Sequence, residues 1–157
     1  MQAATQARKR PRTAVARSAA RPIASGEVIG IESQRKAVLA ATAALAKHAE
    51  HVLVLDVRKL SSVTDWYVLC TGMSPPQLVA IREAIDEALR AQGQRPWHVE
   101  GESAVKVAAR AGREGQQLHW ILMDCGDVVV HLFNPPARQF YQLERLWGDA
   151  PQLPLDP

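Results

Sequence analysis

The sequence predicts an α/β fold of the α+β kind, a single domain with a mixed, mostly five-stranded sheet flanked by helices in the order α-β-β-α-β-β-β-α. Amphipathic segments with clear start and stop signals, short β-branched runs between them, and a hairpin pattern late in the chain carry that expectation. A length of 157 residues suits one domain with room for a tail. With 47% hydrophobic and 22% charged residues, a collagen-like, wholly disordered or coiled-coil chain is disfavoured.

The first helix is expected to open at Ser33, a good N-cap, because Val38, Ala41, Leu45 and Ala49 then recur at helical spacing. Val52 to Val57 (VLVLDV) is short, β-branched and apolar, as a strand buried on both faces would be. The hydroxyl-rich LSSVTD breaks it, and Trp66 to Thr71 (WYVLCT) reads as the next strand. A second helix runs from a Ser74 cap and Pro75 to Gly93. Leu78, Ile81, Ile85 and Leu89 face the core, and Arg82, Glu83, Asp86, Glu87 and Arg90 face water.

Arg95 to Glu100 reads as an edge strand, since Pro96 cannot donate to a ladder. The stretch from Glu102 to Gln117 mixes Gly, Ala and charge and is compatible with either a short helix or a loop. Trp120 to Asp124, the turn at Cys125-Gly126 and Asp127 to Phe133 form a hairpin pattern. A last helix is expected over ARQFYQLERLW, with Phe140, Leu143 and Trp147 on one face and Gly148 as its stop.

Charge divides the chain. Residues 1–22 hold six cations (Arg8, Lys9, Arg10, Arg12, Arg17 and Arg21) and no acid, whereas the remainder has 13 cations against 16 acids. Residues 1–32 are therefore read as a disordered basic tail, 33–149 as the domain and 150–157 as a frayed end. A solvated extension, an RNA-touching arm and an Arg-rich transit peptide all fit the tail's composition. Cys70 and Cys125 form no metal-ligand pair and suit a reducing cytoplasm. The longest nearly apolar run, Ala37 to Ala46, falls well short of the roughly 20 residues that span a bilayer.

Carboxylates at strand ends or turns (Asp56, Asp65, Asp124 and Asp127) are where a metal-dependent enzyme would place them, and Asp124 with Asp127 astride a turn would suit Mg²⁺. Turn stabilisation by the same side chains is the simpler reading. TGMSPPQ is not a phosphate loop, and His48, His51, His98, His119 and His131 include no HExxH pattern. His119 and His131 are placed to face each other across the hairpin. Neither cysteine has an adjacent base. The residues alone point to no catalytic, cofactor or metal site.

Aromatic residues beside charges are the stronger signal: Trp97, Trp120, Tyr141 and Trp147, with Arg138, Glu144, Arg145 and Asp149. Such residues anchor protein interfaces, because they combine large contact area with polar handles.

Over residues 33–149, the run LDVRKLSSVTDWYVLCTGMS, the AIREAIDEAL helix, VEG and WILMDCGDVVVHLFNPPARQFYQLERLWGDA resemble the ribosomal silencing factor family, also called Iojap. The resemblance implies a nucleotidyltransferase-like fold without catalysis and a binding protein of the large ribosomal subunit. Members dock on ribosomal protein uL14, block joining of the small subunit and lower translation when nutrients are scarce. The rival reading is an Mg²⁺-dependent nucleotidyltransferase-like enzyme. The family reading adds a bacterial cytoplasm over an organelle, room for rRNA contact by the basic tail, and a homodimer away from the ribosome.

Motif positions carried over from the family are Asp65, Trp120, Asp124, Gly126, Asp127, His131, Arg138, Tyr141, Glu144 and Trp147. Partner contact is expected of Trp120 above all, then of Asp65, Asp124, Asp127, Arg138, Tyr141 and Glu144. This chain departs from the pattern at His119, where relatives commonly carry an acid, in a longer stretch between Gly101 and Trp120, and at MSPPQ after the TG pair.

Overall fold

The computed structural model describes residues 25–112 and 117–156. The readings made for residues 1–24 lie outside the described residues, whereas residues 25–32, assigned to the same disordered tail, are helical. In chain order the elements are α1 (Ser25–Ala46), β1 (Glu50–Asp56), β2 (Trp66–Thr71), α2 (Pro75–Ala91), β3 (His98–Glu100), α3 (Glu102–Arg110), β4 (Trp120–Asp124), β5 (Val128–Phe133), α4 (Pro135–Tyr141) and α5 (Leu143–Leu146). The five strands form one mixed sheet in the order β1-β2-β5-β4-β3, with β2 and β5 parallel and every other pair antiparallel. An α+β domain on a mixed five-stranded sheet is thus what forms.

One sheet face is covered by α1, α2 and α3. Val54, Val68, Cys70, Ile121, Met123, Val128, Val130 and Leu132 meet the α2 row Leu78, Ile81, Ile85 and Leu89 there. Helix α1 contributes Ala37, Ala40, Ala41 and Ala44, all fully buried, whose small side chains bring its backbone close to its neighbours. Ser74 caps α2, its Oγ accepting from the Gln77 N–H at 3.2 Å, and Pro75 sits in the first turn as expected.

The other face carries a smaller core of Leu55, Val57, Leu69, Phe133, Ala137 and Ala150. Tyr67, Trp120, Leu143 and Trp147 pack half-buried around it. Among the described residues, α4, α5 and Ala150 lie over this face. Gly101, just before α3, has φ +82°, and a Cβ there would come within 2.0 Å of the Trp120 carbonyl oxygen, so the approach of α3 to β4 requires glycine.

Four expectations need correction. Helix α1 begins at Ser25 and not at Ser33; Gly26 and Gly30 weaken the helical signal upstream. Ser33 is buried in mid-helix, donating to the Gly30 carbonyl at 3.0 Å and accepting from Trp66 Nε1 at 3.1 Å. Strand β3 is three residues long and starts after Pro96, and part of the ambiguous stretch that follows is the helix α3. The last helix is two: Gln142 takes a left-handed φ of 48°, ends α4 and starts the single turn of α5. Phe140 is consequently turned away from Leu143 and Trp147 and is 69% exposed.

The end of the chain is not frayed. The Asp56 N–H donates to the Pro151 carbonyl at 2.8 Å and the Leu153 N–H to the Val54 carbonyl at 2.8 Å, so these residues lie along the outer edge of β1. Leu153 and Leu155 pack on the larger core.

Replacing Ser33 by Ala should leave the buried indole N–H of Trp66 without its acceptor. A loss of about 1–3 kcal/mol in urea unfolding is expected, whereas Ser62→Ala on the exposed β1–β2 loop should stay within about 0.5 kcal/mol of the parent.

Candidate partner-binding face

Alternation along the strands assigns residues to the less covered face. With Ile121 and Met123 in the larger core, Trp120, Leu122 and Asp124 of β4 fall on the opposite side, together with Val129, His131 and Phe133 of β5 and Tyr67 and Leu69 of β2. His98 and Glu100 of β3 pair with Asp124 and Leu122 and continue the surface to the sheet edge. α4 and α5 roof the end near Phe133 and Leu69, Val129 and His131 are also buried, and Tyr67, Trp120, Leu122 and Asp124 stay half-exposed.

Trp120 is the hub of an aromatic cluster. Its ring lies 4.7 Å from Tyr141, 5.3 Å from Phe133 and 5.7 Å from His131, centroid to centroid. Its Nε1 donates to His131 Nδ1 at 3.1 Å. That bond sets the tautomer: Nδ1 is the acceptor and Nε2 carries the proton. His131 is buried between Trp120 and Tyr67, whose ring meets it edge-on at 5.1 Å. Burial, reinforced by the positive charge of Arg138, pushes its pKa down to about 4. The imidazole is neutral at physiological pH and holds the indole in one orientation.

Arg138 and Glu144 do not reach outward as two independent contacts. They pair with each other across the α4–α5 break, and Arg138 also donates to Thr71 Oγ1 at 3.1 Å and to the His51 carbonyl at 3.0 Å. Arg138 therefore ties the two short helices to β1 and β2. Beside that tie Phe140, Tyr141 and Leu146 are exposed, and Leu146 at 72% joins Phe140 as an apolar side chain held in water.

The three aspartates collect at the opposite end of the sheet. The Asp65 N–H donates to the Asp127 carbonyl at 2.9 Å. Asp124 Oδ1 accepts from the Gly126 N–H at 2.9 Å, and the Asp127 carboxylate pairs with Lys36 of α1. Asp124 and Asp127 thus stabilise the hairpin turn with separate partners. Only Asp124 lies on the same strand face as Trp120, four residues or roughly 13 Å along β4. Asp56 is held by Arg58 through two side-chain hydrogen bonds and one from its backbone N–H, which keep its carboxyl below the usual range.

His119 and His131 do not face each other: Leu122 is the partner of His131, and His119 is buried beside Asn134, whose side chain accepts from its N–H at 3.0 Å. Cys70 and Cys125 are buried, and burial pushes both thiols up to about 12. Among the described residues no group of three or more His, Cys, Asp or Glu side chains is arranged to hold a metal ion. None of the described helices is long and apolar enough to cross a membrane.

Sequence reading missed Tyr67, Leu122 and Phe140 as members of this face. Period-2 alternation in WYVLCT and WILMD contained the signal for the first two. The exposure of Phe140 depends on the Gln142 kink, for which no local motif exists.

Because the folded pKa of His131 lies below its ordinary value of 6.5, the unfolded chain binds the extra proton first as pH falls. The stability this neutral histidine contributes is complete above about pH 6.5 and is lost progressively down to about pH 4. Urea midpoints measured across that window should fall less steeply in His131→Gln than in the parent.

Comparison with known proteins agrees with this architecture. Residues 31–157 match the family model described as ribosomal silencing factor during starvation, RsfS. The chain is 40% identical to the ribosomal silencing factor RsfS of Bacillus subtilis over 75% of its own length and 89% of that protein. It is 34% identical to a chloroplastic Iojap protein of Arabidopsis thaliana, covering 79% of this chain and 46% of that one. Among solved structures, a Chromobacterium violaceum protein superposes with TM-score 0.63 at 30% identity, covering 73% of this chain and 85% of the other. A Bacillus halodurans protein does so with TM-score 0.62 at 32% identity, covering 78% and 99%. A family-model match over residues 31–157 and a relative 40% identical over 89% of its length make this chain a member of the ribosomal silencing factor family.

Proposed function

We propose that the chain binds the large ribosomal subunit by laying its half-covered sheet face on ribosomal protein uL14, and that it thereby blocks joining of the small subunit and represses translation under nutrient limitation. The observation that carries this reading is the open face itself. Leu122, Trp120 and Tyr141 form an aromatic and apolar centre, Phe140 and Leu146 project beside it, and Asp124 and Glu100 give an acidic margin. An aromatic centre with a charged rim is the usual anatomy of a protein interface. An acidic margin suits a basic ribosomal protein and favours rapid, oriented encounter.

The proposed mechanism is occupancy. A protein seated where the small subunit must dock lowers association in proportion to the fraction of large subunits it covers, with no bond made or broken. Trp120 and Tyr141 supply the contact area, His131 holds the indole in place from below, and the Arg138–Glu144 pair sets the angle of the helices that carry Phe140 and Leu146. Asp65 and Asp127 are peripheral in this reading, and Arg138 and Glu144 act by positioning.

Sedimentation of purified large and small subunits in associating Mg²⁺, with and without the protein, tests the reading. Co-sedimentation with the large subunit and a reduced whole-ribosome peak are expected, and a protein that binds neither subunit would overturn it. Trp120→Ala should weaken large-subunit binding by about 2 kcal/mol or more, close to thirty-fold. Phe140→Ala, which removes an exposed side chain, should weaken binding while leaving thermal unfolding unchanged. Glu83→Ala, on the outer side of α2, should change neither.

A further inference from the structure

β2 and β5 lie side by side and run in the same direction. The chain nevertheless leaves them toward opposite sides, β2 into α2 on the three-helix face and β5 into α4 on the other. Where two parallel neighbours part in this way, no connection crosses the sheet end, and the crevice outside their carboxyl ends is the usual place for a small ligand. Here the crevice is a cleft of about 530 Å³, within the range of small-molecule sites. Binding to uL14 does not call for such a cleft.

The walls of the cleft differ in chemistry. Met73 and Pro135 supply apolar surface, and Arg138, Arg145, Glu50 and Glu144 supply charge. Arg138 is the buried member, its side chain only 10% exposed, and three of its five N–H groups are engaged by Glu144, Thr71 and the His51 carbonyl. Glu144 is 36% exposed and occupies the guanidinium with a carboxylate that can swing into water. The two guanidiniums are matched by two carboxylates, so a bare anion meets repulsion as well as attraction. A ligand with an anion at one end and hydrogen-bond donors elsewhere satisfies both sets, and a flat ring fits the apolar wall.

We propose that this cleft binds a nucleoside phosphate. Its phosphate takes the place of Glu144 on Arg138 and engages Arg145, the sugar hydroxyls donate to Glu50, and the base lies against Met73 and Pro135. A phosphate matches a guanidinium fork at least as well as a carboxylate does. Displacing Glu144 releases the tie that holds α5 to α4, so occupancy of the cleft shifts Trp147, which packs on Tyr67 at 5.2 Å. The binding proposal is independent of the uL14 reading, since it concerns the protein alone.

The test is an NMR titration of the full chain with ADP, with pyrophosphate and with adenosine, following the amides of Thr71, Met73 and Gln142 and the indole N–H of Trp147. ADP is expected to shift all four with a Kd below about 1 mM, and pyrophosphate to bind about tenfold more weakly. Arg145→Gln, at an exposed position, should lower ADP affinity about tenfold, and Glu50→Gln should lower ADP affinity without changing that of pyrophosphate. No shift at the cleft amides up to that concentration overturns the proposal. So does ADP affinity unchanged in both variants, or pyrophosphate binding as tightly as ADP, which would reduce the cleft to a general anion contact.

Discussion

The parallel pairing of β2 with β5 places two strands from distant parts of the sequence at the centre of the sheet. The chain between them, α2 through β4, must travel to the far edge and return. Such a pair is stable only when both faces are covered, because its residues are apolar on each side. Among the described residues, one face receives three helices, and the other receives the two short helices and Ala150. That uneven cover leaves Trp120, Leu122 and Asp124 only partly shielded. The same pairing opens the cleft at the carboxyl ends of the two strands.

Much of this was legible in the residues. The α2 row Leu78, Ile81, Ile85 and Leu89 is fully buried, and its Ser74 cap and Pro75 start are those expected from local rules. The β4–β5 hairpin also forms where its apolar arms and the Cys125-Gly126 turn place it. The parallel order of β2 against β5 was not legible, because strand neighbours separated by more than fifty residues leave no local pattern. The start of α1 was obscured by Gly26 and Gly30, and tertiary packing, through the Trp66–Ser33 hydrogen bond, overrides their low helical preference. Likewise nothing local marks Gln142, which lies between the paired Arg138 and Glu144, for a left-handed conformation.

For the candidate face, the motif residues were identifiable but their roles were not. Trp120 and Tyr141 are surface-forming, as their type implies. Arg138 and Glu144 carry the residue types of an interface, yet satisfy one another. Asp124 and Asp127 sit on one turn but serve different partners, one the backbone of Gly126 and one the Lys36 ammonium. His131 was recognisable only as a motif histidine. Its function as the buried acceptor under Trp120 emerges once alternation has put both rings on the same side, and its neutrality follows from the same burial. In this chain, His131, Arg138 and Glu144 hold the face in shape through contacts with their own neighbours.

The short run after Gly148 has a consequence for behaviour at high concentration. A sheet edge with unpaired N–H and C=O groups is a template on which another chain can add, and long edge strands are the usual starting point of aggregation. At one edge, β3 is only three residues long, follows a proline, and presents His98 and Glu100. At the other, β1 is long enough to recruit a strand, but Pro151 and Leu153 already hold the Asp56 N–H and the Val54 carbonyl at its second half. Among the described residues, the Pro151–Leu153 segment thus shortens the bare edge on which a second molecule could add in a crowded solution.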